Sequence, residues 1–150
     1  MIAIALPSPK RNWSTLSFAS TLYLYPVLDL LLTTIPHELK SEIRLGLQEA
    51  LVNAAKHGNN LDPTKTVVVK FSITREGYIW VISDEGLGFC TPESVYDHPN
   101  CPDLPPEESE NGRGLSILYQ VFDRVHWNYQ GTELTLGKQI PRAKHQLAWI

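Results

Sequence analysis

Glu49 and Asn53 lie at positions i and i+4, a spacing that stacks two side chains on one helix face. A carboxylate and an amide oxygen so placed suit a hard cation such as Mg²⁺, or a hydroxyl that must be polarised. Lys56 falls on the same face and can reach an anion. A second set, Asp84-Glu85-Gly86-Leu87-Gly88, puts an acid where a ligand amine could donate to it. The glycines after it let backbone turn tightly and approach a ligand closely. A third set, Gly112-Arg113-Gly114-Leu115, opens a helix, where free N–H groups, the helix dipole and an arginine fork form an anion site. Taken singly, each set has an ordinary explanation: a solvated helix face, a turn, and a loop-to-helix junction.

The elements that must position these residues follow from periodicity. Between His37 and His57, Ile43, Leu47, Ala50, Leu51 and Ala54 share one apolar sector. Glu42, Gly46, Glu49, Asn53, Lys56 and His57 share the opposite one, so a helix is expected there. Gly58 and Asn59 are an αL-tolerant stop. An earlier apolar helix is expected over Leu22 to Thr34, ended by Pro36, and a first strand over Trp13 to Ala19. Thr66 to Thr74 and Tyr78 to Ser83 read as a hairpin leading into the Asp84 turn. Thr91 to Asn111, with five prolines and an acidic run, reads as a long polar loop. The glycine-opened helix and a closing hairpin, Arg124 to Tyr129 and Thr132 to Ile140, complete the order. This order predicts an α+β, two-layer sandwich: a mainly antiparallel, mixed sheet with helices on one face.

Composition narrows the class. The chain has 150 residues, 43% of them hydrophobic, and a formal net charge of −3. That supports one packed domain and gives no basic footprint for direct nucleic-acid contact. The most apolar run, Leu22 to Ile35, is too short for a bilayer and contains Pro26 and Asp29. Lys10 and Arg11 follow rather than precede the apolar N-terminal residues, the reverse of a secretory signal. Cys90 and Cys101 read as free thiols of a reducing compartment, so a cytoplasmic protein without membrane contact is expected. Trp80, inside a predicted strand, reads as core rather than as a stacking platform.

With its motifs in this order, the sequence resembles the ATP-binding domain shared by gyrase, heat-shock chaperones, histidine kinases and mismatch-repair ATPases (GHKL, the Bergerat fold). Glu49-Ala-Leu-Val-Asn53-Ala-Ala-Lys56-His57-Gly58 looks like its N box. Asp84 to Phe89 looks like the first glycine box, Gly112 to Leu115 like the box after the lid, and Gly131-Thr132 like the late Gly-Thr. The resemblance implies a histidine-kinase-like ATPase domain over 13–140 with an ATP lid at about 90–111. An N-terminal extension, 1–12, and a tail, 141–150, flank it. It further implies ATP and Mg²⁺ as cofactors. Asn53 would hold the metal against the phosphates, and Glu49 would orient or deprotonate the attacking hydroxyl. Asp84 would accept from the adenine amino group, directly or through a water held by Thr132. Gly86 and Gly88 would let backbone pass the nucleotide. Gly112, Arg113, Gly114 and Leu115 would form the phosphate cradle, with Lys56 adding a contact.

Within that superfamily the His-Gly close of the N box looks most like the anti-sigma factor serine/threonine kinases of bacterial partner switching. Such a protein would phosphorylate a serine or threonine of an anti-sigma antagonist, sequester a sigma factor, and form a homodimer. A non-catalytic, ATP-gated protein-binding switch of the same fold is the alternative.

Overall fold

The computed structural model describes residues 2–5, 12–89 and 110–140. Among these residues, ten elements follow one another. Strands β1 (Ile2–Ala5) and β2 (Trp13–Ala19) precede helices α1 (Tyr25–Leu32) and α2 (His37–Val52). A π-helical turn (Asn53–Gly58) leads from α2 to β3 (Thr66–Ile73) and β4 (Gly77–Ser83). Helix α3 (Glu110–Val121), β5 (Arg124–Trp127) and β6 (Glu133–Gln139) close the order. The six strands form one sheet in the order β1-β2-β3-β4-β6-β5, and each pairing among the described residues is antiparallel.

Alternation in the strands decides which face is covered. Leu16 and Phe18 of β2 lie opposite Val69 and Val67, and Val69 lies opposite Ile82 of β4. Trp80 and Ile82 face Leu136 and Leu134 of β6, which face Val125 and Trp127 of β5. These side chains share a face, and nearly all are buried in one cluster with Leu28 and Leu31 of α1, Ile43, Leu47 and Leu51 of α2, and Leu118 and Val121 of α3. The helices therefore form the second layer of the expected α+β sandwich. Trp80 is core, as its strand position implies, with the Phe122 ring edge-on to it at 5.7 Å. Lys138 ties the layers together, its Nζ donating to Glu42 Oε1 at 2.6 Å and to the Val121 carbonyl at 2.7 Å.

Several expectations shift. The stretch expected as an extension supplies a strand: β1 pairs with β2 at the sheet edge, Ile2 opposite Phe18 and Ile4 opposite Leu16. Helix α1 begins only at Tyr25, with Pro26 in the first turn, where a missing N–H leaves no bond unmade. The helix expected to run to His57 is α-helical only to Val52 and continues as the π turn. Its exit is not the predicted αL stop at Gly58-Asn59: Asn59 keeps a right-handed conformation, and Asn60 and Leu61 take the positive φ values, 53° and 56°. Of the lid expected at about 90–111, residues 90–109, with Cys90 and Cys101, lie outside the described residues, as does the tail 141–150, while Glu110 and Asn111 are helical and open α3.

Candidate functional site

Glu49 and Asn53 project half-buried from one face of the α2 stretch, as their spacing predicts; Asn53 is the first residue of the π turn. Lys56, further along it, is half-buried, and His57 is exposed. The π turn closes with wide hydrogen-bonded rings, the Asn59 N–H donating to the Ala54 carbonyl at 2.9 Å and the Leu61 N–H to the Ala55 carbonyl at 2.8 Å. Single π turns are frequent at functional sites. Here the result is contact: Gly58 arrives against Asp84. A β-carbon on Gly58 would stand 2.5 Å from Asp84 Oδ2 and 2.7 Å from Oδ1, so only glycine leaves room for the carboxylate.

Asp84 follows β4 directly and is held on both sides. Its N–H donates to the Thr132 carbonyl at 3.0 Å, and its Oδ1 accepts from the Gly86 N–H at 2.8 Å. Its carboxyl is half-buried, and that burial holds its pKa above the ordinary aspartate value, against weaker opposition from the Gly86 hydrogen bond and the Lys65 charge. Gly86 packs on the Gly58 carbonyl. Gly88, at φ +81°, packs on the Gln130 carbonyl, a conformation and an approach that a side chain would prevent. Leu87 points wholly into solvent, and Phe89 sets its ring edge-on to Trp127 at 5.7 Å. Thr132 completes this end: its N–H donates to Asn128 Oδ1 at 2.9 Å, and its Oγ1 accepts from Asn128 Nδ2 at 3.1 Å.

The third motif differs in register from the expectation. Helix α3 starts at Glu110, so Gly112, Arg113, Gly114 and Leu115 sit inside its first turns rather than opening it. Arg113 is exposed, Leu115 packs against the core, and Gly114 is buried. A β-carbon on Gly114 would lie 3.0 Å from Glu49 Oε2, which sets the acid of the N box directly against α3. The structure thus joins the predicted residues in two groups: Glu49 with Gly114, and Asp84 with Gly86 and Thr132. Glu49 and Gly58 are nine positions apart along α2 and the π turn, which keeps the two groups apart.

Two participants escape sequence reasoning. Asn128 pins the turn before Thr132, and Asn59, fully buried, bonds to the Asp84 turn. The only local signal for Asn59 is a polar residue directly after a helix-ending glycine.

Among the described residues no three His, Cys, Asp or Glu side chains cluster as a metal cage. Oxygen donors from Asn53 and Glu49 fit Mg²⁺, which typically takes one or two protein ligands and completes its shell with phosphate oxygens and water. The half-buried acceptor at Asp84, beside solvent-facing Leu87, fits a flat base bearing an amino group.

The fold is an α+β domain whose gathered residues suit a nucleotide, and comparison with known proteins shows its family. The profile of the histidine kinase-like ATPase domain matches residues 28–138. An anti-sigma F factor of Geobacillus sp. (strain WCH70) is 30% identical over 107 residues, covering 69% of this chain and 72% of that protein. An anti-sigma F factor of Clostridium perfringens (strain SM101 / Type A) is 23% identical over 103 residues, covering 67% and 72%. The chain belongs to the histidine kinase-like (GHKL) ATPase family, in its anti-sigma factor kinase branch.

Proposed function

We propose that the chain binds ATP with Mg²⁺, transfers the γ-phosphoryl group to a serine or threonine of an anti-sigma antagonist, and sequesters a sigma factor until that antagonist displaces it. The observation that carries this reading is the placement of Glu49 against α3, at the opposite end of the α2 stretch from Asp84. A base-recognising acceptor and an acid for the attacking hydroxyl then stand at the two ends of the α2 stretch and its π turn. The names of the two anti-sigma F factor relatives support the regulatory half.

In this reading Asp84 accepts from the adenine amino group and Thr132 Oγ1 is available to hold a bridging water. Leu87 covers one face of the base. Asn53 holds Mg²⁺, which supplies charge neutralisation to the phosphates when bound. Arg113 and the first-turn amide of Gly112 receive phosphate oxygens, with Lys56 as a further cation. Gly114 and Leu115, whose N–H groups lie inside the ladder of α3, contribute by close packing against Glu49 and the core. Glu49 orients the hydroxyl of the protein substrate and takes its proton, the positioning role that phosphoryl transfer requires. The nucleotide-binding unit spans 13–140, with the lid at about 90–111 closing over it. The protein works in the cytoplasm as a homodimer and touches neither nucleic acid nor membrane.

The test is incubation with Mg-ATP and a cognate antagonist. The expected outcome is phosphoserine or phosphothreonine in wild type and a loss of at least about 100-fold in Glu49→Ala. ATP affinity in the variant should stay within about threefold. Normal ATP binding without transfer in wild type would leave the ATP-gated switch as the function.

A further inference from the structure

Asn59 is one of three buried polar residues among those described, with Ser20 and Ser72, and is 0% exposed. A buried amide is tolerated only when its polar atoms are satisfied, and both of Asn59's are. Its Nδ2 donates to Ser20 Oγ and to the Thr66 carbonyl, each at 2.9 Å. Its Oδ1 accepts from the Glu85 N–H at 2.7 Å. Ser20 Oγ is itself fixed, donating to the Lys65 carbonyl at 2.9 Å. One side chain thus joins the end of β2, the start of β3 and the turn after β4.

Direction matters more than number here. The two Nδ2 bonds set the amide plane, so Oδ1 has one direction in which to accept. What it holds is the peptide unit between Asp84 and Glu85. Rotation of that unit is rotation of the Asp84 backbone, and the Asp84 carboxylate already fills the space that Gly58 leaves open. No other side chain among those described hydrogen-bonds to the Glu85 N–H. Without Asn59 the turn keeps the Thr132 bond to the Asp84 N–H, the Gly86 N–H on Asp84 Oδ1 at 2.8 Å and the Thr66 N–H on Glu85 Oε2 at 2.6 Å, but loses the bond that holds the 84–85 peptide unit itself.

We propose that Asn59 is the positioning residue for the Asp84 carboxylate, and through it sets the preference for adenine over bases lacking the amino group. The proposal rests on the nucleotide reading of Asp84 above. Asn59 touches no ligand; it acts by aiming the residue that does. Guanine offers a carbonyl oxygen where adenine offers the amino group, so a carboxylate aimed there favours ATP over GTP. A carboxylate free to turn away discriminates less.

Calorimetric titration of wild type, Asn59→Ala, Asp84→Asn and the double variant with Mg-ATP and Mg-GTP tests this. Asn59→Ala should weaken ATP about five- to tenfold while GTP changes less than about twofold. On the Asp84→Asn background the same change should weaken ATP less than about twofold, because the aimed group is gone. Parallel loss of ATP and GTP affinity, or the same loss on both backgrounds, would overturn the proposal and leave Asn59 a structural residue. If Asn59→Ala does not fold, Ser20→Ala decides: it frees one Nδ2 bond, and an unchanged ATP-to-GTP ratio would overturn the proposal. The nucleotide reading fails separately, if wild type does not bind ATP or Asp84→Asn leaves the ratio unaltered. Amide exchange of Glu85 in the unliganded protein checks the link alone, since Asn59→Ala should unprotect it.

Discussion

Asp84 is asked for two opposed things, and pH separates them. Its half-buried carboxyl is raised in pKa by desolvation, only partly offset by the Gly86 N–H and Lys65. The folded state therefore holds a proton that the unfolded chain has released, from about pH 3.9 up to the raised folded value. Where the folded state binds more protons, stability falls as pH rises, so the ionised carboxylate is a burden on the fold above that window. In the proposed reading, adenine recognition needs the ionised acceptor and is lost as pH falls through the same folded value. Asp84→Asn cannot titrate. Urea unfolding should show the variant more stable than wild type at neutral pH and equal to it below the window. The ATP affinity of wild type should fall on acidification through a step absent from the variant. Equal stability profiles for the two proteins would sink the account.

At the scale of elements, the strands were legible because burial imposes period two on β2, β3, β4 and β6, and α2 because its apolar sector is continuous. β1 was not legible: four residues carry too little pattern, and its pairing is conferred by the β2 edge. The start of α3 misled because Gly112 and Gly114 look like a helix opening. The helix takes them inside, and Gly114 lies where a side chain would crowd Glu49. The motifs of the site were readable because each is contiguous, whereas Asn59 acquires its role from Ser20, Thr66 and Glu85, which only the fold brings to it. The same dependence appears at Gly46, where α2 meets α3. A β-carbon there would stand 2.5 Å from Phe122 Cε2 and 2.8 Å from Val121 Cγ1. Phe122 cannot yield freely, because its ring rests against buried Trp80. Gly46→Ala gains about 1 kcal/mol of helix propensity, but overpacking costs about 1–3 kcal/mol. Chemical denaturation should find a net destabilisation of about 1 kcal/mol. A stabilised variant would show that the α2–α3 interface can open without loss.

The whole molecule places the two ends of its site on different layers. Asp84 and Thr132 belong to the sheet end, Glu49 to α2, Asn53 to the π turn that continues it, and Gly114 to α3. What joins the layers within the protein is the shared apolar core and a few polar ties such as Lys138 to Glu42. A nucleotide seated between Asp84 and Asn53 would add a tie across both layers, and it would act only on the folded state because the unfolded chain has no such pair of ends. Ligand that binds the folded state alone stabilises it by about 2.7 kcal/mol at one hundred times its dissociation constant. For a chain of this length about 2–4 °C of Tm accompanies each kcal/mol. Mg-ATP at that excess should therefore raise Tm by about 5–10 °C. Removing the metal with a chelator should abolish most of the rise, because the phosphate end then loses its bridge to Asn53 while the Asp84 end remains. Adenosine with Mg²⁺ should resemble ATP without metal, since it engages only the sheet end. A full shift with adenosine would mean that the α2 and α3 residues contribute nothing to binding, and the two-ended site would have to be abandoned.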